Sequence, residues 1–454
     1  MELITHWAGI SAIVIFLLAY TLVILEENIH LKKSKPVMVA AGVIWILAAI
    51  AYAGLDRAAE AEELLEHAIL EFAELFLFLL AAMTFINTIQ ERGVFALLRV
   101  WLVNQQYTLR TIFWITGGLA FCISPLADNL TTALVMAMVI ITVGGDNHRF
   151  VALGCINIVV AANAGGAFSP FGDITTLMVW QAGLVQFSEF FALVVPSVVN
   201  WVVTASIMSF AVPNTRPETS SVESANLQYG AWVVVGLFIL TIIMAVSVHS
   251  FLHMPPVLGM MTGLGLLKLY GYVLQIRDQN AYSELVRGSP LSITVQRDTK
   301  LSAEKNFYDI YKNLRQVEWD TLMFFYGVIL CVAGLGAFGY LALASELMYT
   351  DLGATTTNIL VGVISAIIDN IPVMFAVLGM NPEMSLGQWL LVTLTAGVGG
   401  SMLSIGSAAG VAVMGQAHGK YTFFSHLKWT WAIALGYAAS IAVHFLINAD
   451  TFTN

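Results

Sequence analysis

Charge is scarce in this chain. Asp, Glu, Lys and Arg make up 11% of its 454 residues and apolar residues 58%, against a charge share of about 25% in soluble globular domains. That balance excludes an ordinary water-soluble domain and makes lipid the expected solvent. Cysteine is nearly missing as well: Cys122, Cys155 and Cys331 stand singly in apolar segments without CxxC spacing. Neither a disulfide framework nor a zinc site is expected from them. No glycine-rich nucleotide fingerprint and no Ser/His/Asp arrangement stands out, so the chain is read as not an enzyme and as needing no cofactor. The formal net charge of −10 disfavours nucleic acid as a partner.

What the chain does have is a succession of apolar stretches about 20 residues long, each enough to cross ~30 Å of hydrocarbon as a helix. The first has no basic segment before it and no small-residue cleavage pattern after it, so it reads as a retained span rather than a signal peptide. Ten full crossings are expected, at residues 5–25, 36–55, 64–90, 150–187, 190–212, 229–250, 256–276, 319–342, 387–416 and 429–448. Trp7, Trp45, Trp180, Trp319 and Trp429 are expected as interface anchors.

Two apolar blocks carry the same polar interruption. Ser124-Pro125-Leu126-Ala127-Asp128-Asn129 breaks one, and Asp369-Asn370-Ile371-Pro372 breaks another half a chain later. Each is followed by a glycine-rich break in which Gly165, Gly166 and Gly172 align with Gly399, Gly400 and Gly406. Orientation follows from Lys and Arg. With the N-terminus outside, Lys32, Lys33, Lys35, Arg92, Arg99, Arg110, Arg149 and Arg216 fall inside with the basic stretch 277–318, and Arg57 is left outside. The pattern holds only if residues 110–143 and 354–381 are re-entrant hairpins, because a simple span at either would reverse every later loop.

The expected fold class is therefore an all-α polytopic membrane protein, an inverted repeat with two re-entrant hairpins and two discontinuous transmembrane helices. Residues 1–454 form one transport domain, with a first half at 36–212 and an inverted second half at 229–448. Residues 277–318 form a cytoplasmic loop, in which 303–319 has the spacing of a helix lying on the membrane surface. The localisation that follows is multi-pass in a bacterial inner membrane, with the lipid bilayer as a standing partner.

Breaking a helix at membrane depth strands backbone groups at several kcal/mol each unless protein, water or ligand satisfies them. Pro125 is expected to end the entering half of the first hairpin, with Asp128 or Asn129 capping the returning half. In the second hairpin Asn370 is expected to cap, with Pro372 near the first helical position. Asp173 and Ser407 take matching cap positions in the glycine-rich breaks. Capping alone accounts for any one of these residues. As a set, Asp128, Asp173 and Asp369 with Asn129, Asn163, Asn370, Ser404 and Ser407 supply oxygen ligands with acidic charge, the chemistry a hard monovalent cation needs. The same carboxylates exchange protons, so proton and metal ion compete for one site, which is enough to couple opposite fluxes. His67, Glu71 and Glu74 fall on one helical face; His67 and Glu74 suit a proton path or pH sensor, and a solvated helix end is the plainer account.

At these residues the chain resembles the NhaD-type sodium/proton antiporters of the ion transporter superfamily. The likeness rests on 124–132, on the long motif 163–176, on 369–373 and on 401–407. It implies export of Na+ or Li+ in exchange for H+ by alternating access, with pH homeostasis and sodium tolerance as the physiological setting. It also implies cation or proton roles for Asp128, Asn129, Asn163, Asp173, Thr175, Asp369, Asn370, Ser404 and Ser407, with Asp128, Asn163, Asp173 and Asp369 holding the ion. A homodimer is expected by family analogy alone. Some relatives place a second aspartate where this chain has Asn129, which leaves the coupled charge open. The alternative is a sodium-coupled symporter of a carboxylate or other small anion, against which stands the lack of basic residues in the breaks. Ion ranking, stoichiometry, electrogenicity and pH optimum are not fixed by the sequence.

Overall fold

A computed structural model describes residues 3–29, 31–105, 107–216, 226–287 and 310–452. Every extended element among them is a helix, and ten helices are long and apolar enough to cross a membrane. These are Trp7–Ile24, Ser34–Ala53, Ala58–Glu91, Leu109–Ala127, His148–Gly166, Glu189–Ser209, Ala231–Leu252, Val257–Arg277, Trp319–Ala337 and Thr430–Ile447. Nine overlap expected crossings, with shifted ends. The tenth, Leu109–Ala127, was expected as a hairpin limb, whereas the expected crossing 387–416 is divided into Leu386–Gly399 and Ala408–Gln416, each too short to count.

The chain divides into two compact units. The larger comprises residues 1–73, 99–223 and 319–454, the smaller residues 74–98 and 224–318. In the larger unit a core of small and aromatic side chains joins the first helices to Trp319–Ala337. Ala8, Ala12, Ala40, Ala41, Ile44, Ala48, Leu330 and Phe338 are all at most 2% exposed. Alanines along Ser34–Ala53 let that helix approach closely, and a Cβ at Gly327 would stand 2.5 Å from Val37. Trp45, expected at the interface, is buried and donates to the Leu330 carbonyl at 2.9 Å; Trp180 is fully buried. Their polar ends are thus drawn into the protein rather than to a headgroup layer.

The smaller unit is built on a pair of helices, Ala231–Leu252 and Val257–Arg287. Gly259 and Gly263, one turn apart, face Ala245 and Thr241 so closely that any Cβ would clash. The second helix continues eleven residues beyond the expected end of its span, from Arg277 to Arg287. Of the expected surface helix, Ile310–Arg315 is helical; residues 303–309 lie outside the described residues, as do residues 217–225 of the stretch 213–228 between the two expected halves. Asn313 donates to Thr88 and to Glu91, 3.1 and 2.8 Å away, and Lys312 pairs with Glu91 at 3.7 Å.

The breaks are packed backbone to backbone. Pro125 does not end its helix, which runs on to Ala127. Proline leaves the carbonyl four residues earlier without its usual donor. That carbonyl, of Phe121, faces the α-carbon of Gly165, where a Cβ would stand 2.3 Å away, and Ser169 Oγ donates to the Pro125 carbonyl at 2.7 Å. The neighbouring break thus packs against this turn and supplies a donor to the Pro125 carbonyl. The same set of contacts recurs later in the chain: a Cβ at Gly399 would stand 2.2 Å from the Gly362 carbonyl, and Gly400 packs against Gly406 as Gly166 does against Gly172. Ser365 Oγ bonds the Ala396 carbonyl at 2.8 Å, as Ser124 Oγ bonds that of Ala162 at 2.6 Å. Substituting Gly165→Ala or Gly399→Ala is expected to destabilise by about 1–3 kcal/mol through overpacking, read as a lower thermal unfolding midpoint of the purified protein. Gly42→Ala, with nothing within 4 Å of the added methyl, is expected to leave that midpoint where it is or raise it.

Candidate functional site

Three helix starts converge on one buried carboxylate. Asp173 opens Ile174–Gln181 as its N-cap, accepting from the Thr175 amide at 3.0 Å. Its remaining partners come from other segments. Asn129, first residue of Asn129–Gly144, donates to Asp173 Oδ2 at 3.3 Å. Asn370, first residue of Asn370–Met380, donates to the same oxygen at 3.3 Å and lies 3.5 Å from Oδ1. Asp173 is 3% exposed and Asn370 likewise, so a negative group is held out of water by amide dipoles and a helix N-terminus.

Asn163 extends the network across the breaks. Its Oδ1 accepts from Asn129 at 3.2 Å, and its amide donates to Ser401 Oγ and Ser407 Oγ at 2.9 and 3.0 Å. Ser407 caps Ala408–Gln416 as Asp173 caps its counterpart, accepting from Gly410 at 3.3 Å. Position 397, which matches Asn163, is glycine, and a Cβ there would stand 3.6 Å from Asp173 Oδ2. The missing side chain leaves room for the carboxylate. Ser404 Oγ is buried without a hydrogen-bond partner, three residues from the cap Ser407, and the Thr175 side chain lies beside the Asp173 carboxylate.

The other two aspartates carry partners of their own. Asp128 caps Asn129–Gly144 through Thr131, whose amide and hydroxyl lie 2.8 and 2.9 Å from its carboxylate. Its backbone is unusual, with φ +52° and ψ 159°, a conformation L-residues rarely adopt and one that lets one helix end and the next begin at a single residue. Asp369, rather than the expected Asn370, caps the helix of the second interruption, accepting from Ile371 at 3.5 Å. Asn370 is thereby freed to turn its amide to Asp173. Among the described residues no group of three His, Cys, Asp or Glu side chains stands together as a metal centre. The cluster is one carboxylate among neutral oxygens and amides.

Three contributors were not foreseen. Lys33 Nζ reaches Asp369 Oδ2 at 3.5 Å, so a basic residue does stand at the second interruption, delivered by a distant segment. Ser401 accepts from Asn163, and its carbonyl bonds His426 Nε2 at 2.9 Å. The other nitrogen of that ring lies 2.6 Å from Tyr421 Oη. Burial pushes the His426 imidazole down to about 4, against the pull of the Ser401 and Met402 carbonyls. The neutral ring therefore carries one N–H, which it donates to Ser401, and takes the Tyr421 proton as acceptor. Conversely, His67 forms an exposed pair with Glu71 at 3.3 Å and Glu74 is half-buried farther along the same helix. His67 lies outside the buried network, and Glu74 belongs to the smaller unit.

A family profile of citrate transporters matches residues 3–397. The Na(+)/H(+) antiporter NhaD of Alkalimonas amylolytica is 54% identical over 454 residues, 100% of this chain and 93% of its own length. That of Vibrio parahaemolyticus is 57% identical over 410 residues, 90% and 98% of the two chains. Sodium/proton antiporter 1 of Arabidopsis thaliana is 30% identical over 454 residues, 97% of this chain and 72% of the other. These are transporters and not enzymes. The chain belongs to the citrate transporter family, among its NhaD-type members.

Proposed function

We propose that this protein exchanges Na+ or Li+ for H+ across a bacterial inner membrane by alternating access. The observation that carries this reading is the buried Asp173 carboxylate, bonded by amides from two different interruptions and by its own helix start. A group so placed takes either a proton or a monovalent cation. The unpartnered oxygen of Ser404, with the hydroxyl of Thr175 and Asn163 Oδ1, suits the coordination of the second. Asp128 and Asp369 flank this centre and serve as the further acidic groups of the path, with Asn129, Asn370 and Ser407 as its polar wall. His67 and Glu74, on the Ala58–Glu91 helix, act in proton supply or pH sensing.

The chain is further read as an inverted repeat, residues 36–212 and 229–448, with re-entrant hairpins at 110–143 and 354–381. The recurrence of Gly165–Phe121 as Gly399–Gly362, and of Ser124–Ala162 as Ser365–Ala396, supports a repeated scaffold. Residues 277–318 are read as lying on the cytoplasmic side, where their basic residues belong. A homodimer is part of the same reading. The second function, sodium-coupled uptake of a carboxylate, is favoured by the family's citrate-transporting members; against it, the basic group at the site, Lys33, is already taken up by Asp369.

In vesicles carrying the purified protein and an imposed pH gradient, Na+ or Li+ is expected to dissipate the gradient from neutral to alkaline pH, and K+ or citrate is not. A cation response no larger than that of empty vesicles sinks the antiporter. Replacing Asp173→Asn is expected to cut exchange to about one per cent or less, the loss of ~3 kcal/mol when an ionic ligand becomes neutral, with the protein still present in the membrane. Ser404→Ala removes one neutral oxygen and is expected to raise the half-saturating Na+ concentration roughly tenfold, about 1.4 kcal/mol. Wild-type turnover in Asp173→Asn would return that residue to capping alone.

A further inference from the structure

Lys33 stands in front of Asp369. The two side chains are 18% and 13% exposed and 3.5 Å apart, at a cavity of about 130 Å³ whose walls include Tyr20, Glu26, Phe324, Ile405 and Val411. The ammonium also lies 4.5 Å from the centre of the Phe324 ring, a second attraction that holds it over the cavity. The turn that carries it is fixed on both sides. The Lys33 amide donates to Glu26 Oε1 at 3.3 Å, and Ser34 Oγ donates to Asp320 Oδ1 at 2.5 Å. On the far side of Asp369, the next residue is Asn370, whose amide bonds Asp173. The ammonium is thus one residue along the chain from the buried carboxylate's own shell.

We propose that Lys33 is a resident counter-cation that sets the protein's affinity for Na+ by occupying the place before Asp369 that a transported cation must take. This rests on the reading of Asp369 as a cation-binding group. A lysine ammonium is a compact, strongly hydrated monovalent cation on a flexible stem, and so competes with Na+ for the same oxygens in kind. Tethered by its chain, it competes at an effective concentration that free ions must exceed. When Na+ displaces it, Glu26 in the same cavity is the carboxylate that can receive it, so the ammonium need not be left unpaired. The arrangement weakens binding and thereby favours release, which a transporter needs as much as capture.

The test is a Na+ titration of the thermal unfolding midpoint of purified protein in detergent, with choline chloride holding ionic strength constant, since a ligand of the folded state raises that midpoint. In Lys33→Met the half-effective Na+ concentration is expected to fall roughly three- to tenfold below wild type, the range of a partly buried ion pair. Lys33→Gln, which keeps a long polar side chain, carries the same expectation where the Met variant accumulates poorly. An unchanged or higher half-effective concentration, or no Na+ effect in wild type and variant alike, overturns the proposal. Because this readout needs no transport, failed exchange in vesicles counts against the antiporter, whereas an unshifted titration counts against Lys33.

Discussion

A single carboxylate without a cationic partner organises the centre of the larger unit. Asp173 is nearly inaccessible to solvent, and its hydrogen bonds come from two asparagine amides and a backbone N–H. Dipoles lower the cost of such a charge but leave its net value in place, so a fully buried carboxylate calls for a mobile positive charge. The helix breaks follow from that need. A continuous helix offers its N–H groups only at its start, so Asp173 takes its backbone donor from the helix it caps, and its other donors are asparagine side chains that open two neighbouring helices. The chain supplies them by interrupting four apolar segments, and each interruption then needs glycine and proline where backbones touch.

One scaffold is used twice and one site once. The glycine contacts and the serine-to-carbonyl bonds of the two breaks correspond closely, yet the chemistry placed on them differs. Where one break has Asn163 and Asp173, the other has Gly397 and Ser407. The difference lets side chains cross: Asn163 reaches Ser401 and Ser407, and Asp173 fills the space beside Gly397 to meet Asn370. Two carboxylates at matched positions would repel across the same few ångströms. A serine opposite an aspartate keeps the cap and removes the like charge. His426 and Tyr421 hold the Ser401 carbonyl from outside, with the imidazole neutral.

Much of this was legible in the sequence because it is local. Apolar length marks the helices, and the spacing of Asp, Asn, Gly and Ser marks their breaks, so the caps Asp173 and Ser407 are readable from short-range rules. What was not legible is what depends on where distant segments meet. Pro125 reads as a stop, yet the helix runs on to Ala127, packed against Gly165 forty residues on and with Ser169 donating to the Pro125 carbonyl. Asn370 reads as a cap by residue type, but Asp369 takes that place and leaves the amide for another segment. Lys33 reads as one of a run of loop lysines, with no local mark to set it apart from Lys32 or Lys35. Tryptophan is likewise ambiguous by type, and Trp180 is buried where an interface anchor would be wet.

The two carboxylates nearest the crossing, Asp173 and Asp369, are stabilised by opposite means, and the difference bears on how a cation would pass between them. Asp369 has a full positive charge within 3.5 Å, so an incoming cation gains there only the difference between its own attraction and that of the ammonium. Asp173 has dipoles alone, so a cation arriving there gains the whole interaction, in surroundings that screen charge far less than water. Asn370 links the two as the residue following one and the donor to the other. On the proposed function, access by way of Asp369 and retention at Asp173 would be the order that these unequal compensations impose, with weaker binding at the more exposed carboxylate and stronger binding at the buried one.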